Sequence, residues 1–246
     1  MIQVWYRNFL FFKKTFFVTL FWTVIEPLIY LGALGFGFGR YVPPIEGLPF
    51  IDFYYPGLLC STAMMVAYFE ATYPNYTKLT HQKIYFSMLL TPLTDVQILS
   101  GEILWAATKA LFGVVGVILV SSLFGLFKLE ILYTLPVLFL TSLAFACFGM
   151  IMISIAKNYD TFIFSTSGLI VPLSMLSGVY FSLNDVPSGF KYLAYLFPLA
   201  HATKVVRGVA HSGFQQEYFL NGLVIVIYIV VFYFLARKLF RKKLIQ

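Results

Sequence analysis

"TFFVTLFWTVIEPLIYLGALGFGF", Thr15 to Phe38, decides how the rest of the chain is read. Apart from three threonines and one carboxylate, Glu26, it is apolar or glycine throughout. A helix needs about 20 such residues to cross a bilayer, so the run is long enough to span. Lys13 and Lys14 precede it, but a secretory signal core is only about 7–15 residues long and ends at a small-residue cleavage site, which this run does not. Composition extends the reading to the whole chain. Of 246 residues, 60% are hydrophobic, 20% aromatic and only 11% charged, against about 25% charged in soluble domains. Lipid must therefore be the main solvent. The net charge of +7 does not point to nucleic acid, because the basic residues sit at the ends of apolar runs rather than along one surface.

The expected fold is an all-α integral membrane protein, a single transmembrane domain over residues 1–246. Its six spans are expected at about 15–38, 54–76, 100–126, 133–156, 161–182 and 219–236. They must be helices, because the bilayer offers no partner to an unpaired backbone group. With both termini on one side, that side carries eleven of the lysines and arginines between spans and the other carries five: Arg40, Lys128, Lys191, Lys204 and Arg207. The excess places both ends in the cytoplasm. The first 14 residues, "MIQVWYRNFLFFKK", read as an interfacial amphipathic helix with Trp5, Phe9 and Phe12 on one side.

The last external connection, roughly 183–218, is the longest. Its "FPLAHATKVVRGVAHSG", Phe197 to Gly213, is too short and too charged to cross. On a helix, Ala202, Val205, Val206 and Val209 share one face, and His201, Lys204, Gly208 and His211 another. With "FKYLAYLF" before it and Pro198 between, it reads as paired half-depth helices at the outer leaflet. His201 and His211 lack a third ligand for a metal. Cys60 and Cys147 lie inside apolar runs and read as buried thiols, which leaves the redox compartment open.

Three ionisable residues fall within spans: Glu26, Glu70 and Lys109. Each is costly in lipid, so each needs a partner or a function. Glu26 lies about 16 Å into span 1 at 1.5 Å per residue, near midplane, with Thr19, Trp22, Thr23 and Tyr30 on its side and Pro27 after it. Glu70 and Lys109 have matching depths near the cytoplasmic ends of spans 2 and 3 and are expected to pair, with Glu102 a competing partner for Lys109. The internal loop "NYTKLTHQKIYFSMLLTPLTDVQILSGE" is polar from Asn75 to Lys83 and apolar from Ile84 to Leu90, a pattern suited to docking in a groove of another protein. No GxxxxGK[ST] phosphate loop, nucleophile elbow or HExxH is present, so nothing marks an enzyme. The glycines of "GALGFGFGR" follow no strand and read as close-packing residues.

Four pieces, "IEPLIYLGALGFGFGRYV", "YYPGLLCSTAMMVAYFEATY", "MLLTPLTDVQILSGEILWA" and "FPLAHATKVVRG", occur in this order and are spread over most of the chain, from Ile25 to Gly208. Together they resemble the membrane permease of type-2 ABC exporters, closest to the nodulation-factor (lipo-chitooligosaccharide) export branch. The resemblance implies a six-span half-transporter in a bacterial or archaeal cytoplasmic membrane, a homodimer of this chain, and two copies of a separate ATP-binding subunit that holds ATP and Mg. No cofactor or metal is expected in this chain. It implies a coupling helix at about Asn75 to Phe86, which makes Asn75, Thr77, Lys78, His81, Gln82 and Lys83 the candidate ATPase contacts. It places the external half-helices at the exit. Candidate pathway residues are then Glu26, Tyr30, Glu70, Tyr73, Lys109, Lys204 and Arg207, with membrane lipids at the headgroup level near the last two. The expected cargo is an amphipathic lipid, a lipid-linked saccharide or a hydrophobic compound. Two other classes stay open on the residues alone: a proton-coupled secondary transporter using Glu26 and Glu70, and a membrane assembly protein that transports nothing.

Overall fold

In a computed structural model that describes residues 1–245, the chain is built of helices joined by turns and short loops, with one isolated bridge between Ile45 and Leu48. Helix α1 (Ile2–Lys14) meets α2 (Phe16–Tyr30) at Thr15. The winding of α2 runs through Pro27, then loosens to a π-helix at Leu31–Gly37 and tightens to a 3-10 turn at Phe38–Tyr41. Helix α3 (Phe50–Thr80) is followed by the short α4 (Ile84–Leu89), then α5 (Asp95–Ser122). A 3-10 turn, Leu129–Thr134, leads into α6 (Leu135–Ile155). Next come α7 (Asp160–Ser165), a π segment (Thr166–Ile170) and α8 (Val171–Leu176), wound as one continuous rod. Helices α9 (Ser188–Tyr195), α10 (Pro198–Ser212) and α11 (Glu217–Ile245) complete the chain.

Among the described residues, five helices are long and apolar enough to cross a membrane: Phe16–Tyr41, Phe50–Thr80, Asp95–Ser122, Leu129–Ile155 and Glu217–Ile245. The run expected at 161–182 is shorter, Asp160–Leu176, or about 26 Å at 1.5 Å per residue. It stops because Ser177 and Gly178 turn the chain, the latter at φ +73°. Elsewhere the helices outrun the expected spans by several residues at one end or both, but α5 stops at Ser122, four residues short of the expected 126. The start of α5 is fixed by a capping box, with Thr94 Oγ1 accepting from the Gln97 backbone amide and Gln97 Oε1 accepting from the Thr94 backbone amide. Helix α3 continues through the polar residues Asn75 to Thr80 because they are engaged by neighbouring elements.

Helix α3 is the innermost. In its most apolar window 78% of residues are buried, against 17% for the α2 rod and 11% for α11. It packs on α5, α6 and α10 and crosses to its neighbours through hydroxyls: Tyr55 to Ser121 on α5, Ser61 to Ser174 on α8 (2.5 Å), and Tyr68 to Ser165 on α7. In lipid such bonds replace the hydrophobic drive that would hold helices together in water. Close approach needs small residues. Gly101 seats α1 through Val4, Gly116 seats α2 through Val24, and Gly149 of α6 lies against Ala71 of α3. Of the glycines expected to pack, Gly35 and Gly39 do meet Ile51 and Phe50, but Gly32 faces open space. Cys60 and Cys147 are both buried and unpaired.

A Cβ on Gly149 would stand 2.6 Å from the Ala71 Cβ and 3.2 Å from the Tyr68 carbonyl oxygen. Gly149→Leu should therefore part α3 from α6 at a cost of about 1–3 kcal/mol, the usual range for overpacking. Gly222→Leu on α11, where nothing lies within 4 Å, should leave thermal unfolding in detergent unchanged.

Candidate functional site

Where α1, the close of α3 and the start of α5 meet, they enclose a carboxylate. Glu102 of α5 has no exposed surface. An ionised carboxylate at such a position must be paired and hydrogen-bonded. Lys78 of α3 reaches Glu102 Oε2 at 2.8 Å, Asn8 of α1 donates to the same oxygen at 2.7 Å, and Arg7 of α1 reaches Oε1 at 3.3 Å. Lys78 also donates to Asn75 and Asn8. On α4, Tyr85 is buried beside this cluster; burial first, and then the Glu102 charge, raise its hydroxyl well above the usual tyrosine value.

Two turns further along α5, Lys109 pairs with Glu70 of α3 at 2.5 Å, as the matched depths predict. The second carboxylate oxygen accepts from Trp105 Nε1 at 2.7 Å, a partner that sequence reading missed. Glu102 takes Lys78 instead of Lys109. Trp105 also receives the aromatic side of α1, with Trp5, Phe9 and Phe12 ringed around it, and Trp5 donates to Thr108. The side expected to carry Trp5, Phe9 and Phe12 is thus packed inward. The exposed apolar residues of α1 are Ile2, Tyr6, Leu10 and Phe11.

The expected coupling residues divide by environment. Asn75 is buried, Lys78 belongs to the Glu102 cluster, and Thr77 shares a 2.7 Å hydrogen bond with Tyr159. His81, Gln82 and Lys83 are exposed, with His81 stacked on Tyr159. The helix expected at Asn75–Phe86 is therefore split. Its first half continues α3, Lys83 turns at φ +51°, and the separate helix begins at Ile84.

The expected pathway residues do not meet in one site. Glu70 and Lys109 line a cavity of about 440 Å³ beneath α1, with Arg7, Lys78, Phe12 and Trp105. Glu26 and Tyr30 line a second of about 390 Å³, with Thr23, Ser61, Thr62, Ser174 and Tyr180. Leu34 of the first π segment also borders that second cavity, as does Val171, which follows the second. Tyr73 lies outside these cavities, packed among Phe69, Tyr159 and Phe162. Lys204 and Arg207 line a third cavity of about 650 Å³ at the α10 end.

The periodicity of α10 is borne out: Ala202, Val205, Val206 and Val209 are buried. Arg207 turns inward as well. Its guanidinium donates to the carbonyls of Phe53 (3.0 Å) and Gly178 (2.7 Å) and lies over the Phe53 ring. It thereby ties the turn after α8 to the start of α3. Burial lowers its pKa to about 10, which leaves it charged at neutral pH. Lys204 stays half-exposed, 3.8 Å from Glu217. The two histidines are held apart: His201 contacts Asn221 and the Tyr195 carbonyl, and His211 donates to the Asp52 carbonyl, with burial lowering its pKa. Among the described residues no cluster of metal-ligating side chains forms.

A helical bundle with this many apolar rods is that of a multi-pass membrane protein. The chain belongs to the ABC-2 type transporter family, whose model matches residues 1–210. It is similar to Nodulation protein J of Rhizobium leguminosarum bv. viciae, 35% identical over 246 residues, covering 100% of this chain and 95% of that protein. It is equally similar to Nodulation protein J of Rhizobium meliloti (strain 1021), 35% identical over 244 residues, covering 99% and 93%. Inner membrane transport permease YadH of Escherichia coli (strain K12) is 23% identical over 249 residues, covering 98% and 94%. No solved structure matches the chain. The resemblance carried by the four motifs is thus borne out.

Lys78→Met should leave the Glu102 carboxylate to Arg7 and Asn8 alone and cost about 1.5–3 kcal/mol of stability, whereas His81→Ala and Lys83→Ala should change it by no more than about 0.5 kcal/mol. For the second pair, a double-mutant cycle of Glu70→Gln and Lys109→Met should be non-additive, with the double variant recovering part of the loss. Thermal unfolding of the purified variants checks both; additive losses in the cycle would break the Glu70–Lys109 assignment.

Proposed function

We propose that the chain is the membrane permease of an ATP-driven exporter that moves an amphipathic lipid or lipid-linked saccharide outward. Membership of the ABC-2 type transporter family is the observation that carries this reading. The chain has no phosphate-binding loop, so hydrolysis belongs to a separate subunit that binds ATP and Mg. Two such subunits act on a homodimer of this chain in the cytoplasmic membrane, and both termini are cytoplasmic. The location agrees with the name of the YadH relative, and the termini with the excess of lysine and arginine at that end.

Asp160–Leu176 completes the six crossings and is the fifth in chain order. Its length of about 26 Å falls only a few ångströms short of the hydrocarbon core. Helix α1 lies on the inner membrane surface, with Ile2, Tyr6 and Leu10 toward lipid. Helices α9 and α10 form the outer cap. The contact for the ATPase is the turn after α3 together with α4: His81, Gln82 and Lys83, next to the exposed apolar residues Phe86, Leu89 and Leu90. Cargo passes the Glu26 and Tyr30 cavity. Glu26 is exposed there beside hydroxyls and aromatic rings, a mixed lining suited to a ligand with polar and apolar parts.

The test is capture of an ATPase subunit with the tagged chain, followed by ATP-dependent transport in proteoliposomes. Replacing His81, Gln82, Lys83 and Leu90 by Ala should lower ATPase capture several-fold without changing thermal unfolding. Glu26→Gln should lower transport while leaving ATPase capture intact. Transport that survives ATP depletion and collapses with an uncoupler would overturn the ATP-driven reading.

A further inference from the structure

The cavity beneath α1 has a charge imbalance that the protein itself does not resolve. Its three cations, Arg7, Lys78 and Lys109, face two carboxylates, Glu70 and Glu102. One positive charge is left over. Among the described residues, Glu70 is the only acid lining the cavity, and Lys109 already neutralises it.

The unfilled donors can be located. An ammonium has three N–H donors and a guanidinium five. Lys78 is saturated by Asn8, Asn75 and Glu102. Lys109 spends one donor, on Glu70. Arg7 spends Nη2 on Asn8 and Glu102, and its Nη1 meets only the Met88 sulfur at 3.8 Å. Arg7 and Lys109 therefore bring the surplus charge and the spare donors into the same space of about 440 Å³.

We propose that this cavity binds the phosphate of an anionic membrane lipid. The walls favour a lipid over a soluble anion. Phe11, Phe12 and Trp105 line the cavity, and Phe11 does so while remaining largely exposed, so an acyl chain can lie along it. A phosphate suits the donors because a guanidinium binds its oxygens through paired, charge-assisted hydrogen bonds. A zwitterionic lipid carries its own cation into a site that already has one to spare. The bound phosphate joins α1 to α5, so anionic lipid content would set how firmly α1 is docked.

The proposal rests on the placement of α1 at the inner membrane surface given above. Its readout needs neither cargo nor ATPase, so a failure of transport and a failure of lipid binding are separate results. The experiment uses the purified full chain in neutral detergent with phosphatidylglycerol, phosphatidylcholine or inorganic phosphate added in separate arms. Thermal unfolding and lipid retention in native mass spectrometry are read in each. Phosphatidylglycerol should raise the unfolding midpoint and be retained, and phosphatidylcholine should do neither. Arg7→Gln should weaken phosphatidylglycerol binding by roughly tenfold or more, as expected for a lost charge-assisted hydrogen bond, and Arg7→Lys should restore part of it. Equal effects of the two lipids, or an Arg7→Gln variant that binds as well as wild type, would overturn the proposal. A shift reproduced in full by inorganic phosphate would overturn the lipid assignment. The wild-type arms alone decide the matter if Arg7→Gln is too unstable to purify.

Discussion

A carboxylate with no exposed surface needs partners that cannot leave. Glu102 draws them from two other elements, Arg7 and Asn8 from α1 and Lys78 from α3. In low dielectric the pairing contributes little net stability, but breaking it is costly. Its effect is to fix geometry. Helix α1 cannot lift from α5, and α3 cannot shorten at its polar end, without leaving a charge unpaired. The Glu70–Lys109 pair is a second rung in the same antiparallel register: eight residues along α3 from Glu70 comes Lys78, and seven back along α5 from Lys109 comes Glu102. The two rungs hold the α1 end as one block up to the exposed turn at His81.

The α10 end is held differently, by a cation facing carbonyls. Arg207 closes the turn that cuts the α7–α8 rod short, and so shapes the third cavity. Between these fixed ends lie the two π segments and the Glu26 cavity. Irregular winding of this kind leaves backbone groups less tightly committed than in an α-helix and recurs at functional sites. The bundle is thus firm at both ends and looser midway. The bare apolar surfaces of the α2 rod and α11 mark where lipid or another chain must cover it.

Much of this was legible in the sequence. Apolar run length gave the five long rods, and periodicity gave the buried face of α10. Depth matching gave Glu70–Lys109. Three features were misread, each because the deciding partner is distant in the chain. Trp5, Phe9 and Phe12 look lipid-facing until Trp105 is known to sit beneath them. Lys78 looks like a surface coupling residue until Glu102 is placed opposite it. The register implied by Glu70–Lys109 was the signal that would have found that partner. Arg207 looks like a headgroup contact because a sequence does not show which carbonyls a turn will leave unpaired. The end of the rod at Leu176 was missed for a related reason: the apolar run continues past it, and the break is made by the Ser177–Gly178 turn and not by polarity.

The central claim, that Glu102 holds α1 in place, can be tested by thiol protection. Val4 on α1 is 1% exposed and lies against Gly101. With Cys60 and Cys147 replaced, a cysteine at Val4 should resist a small thiol reagent in membranes. Adding Glu102→Leu should make it reactive, because Arg7, Asn8 and Lys78 lose their common partner. A Val4 cysteine that stays protected after Glu102→Leu, in a protein that still folds, would contradict the account.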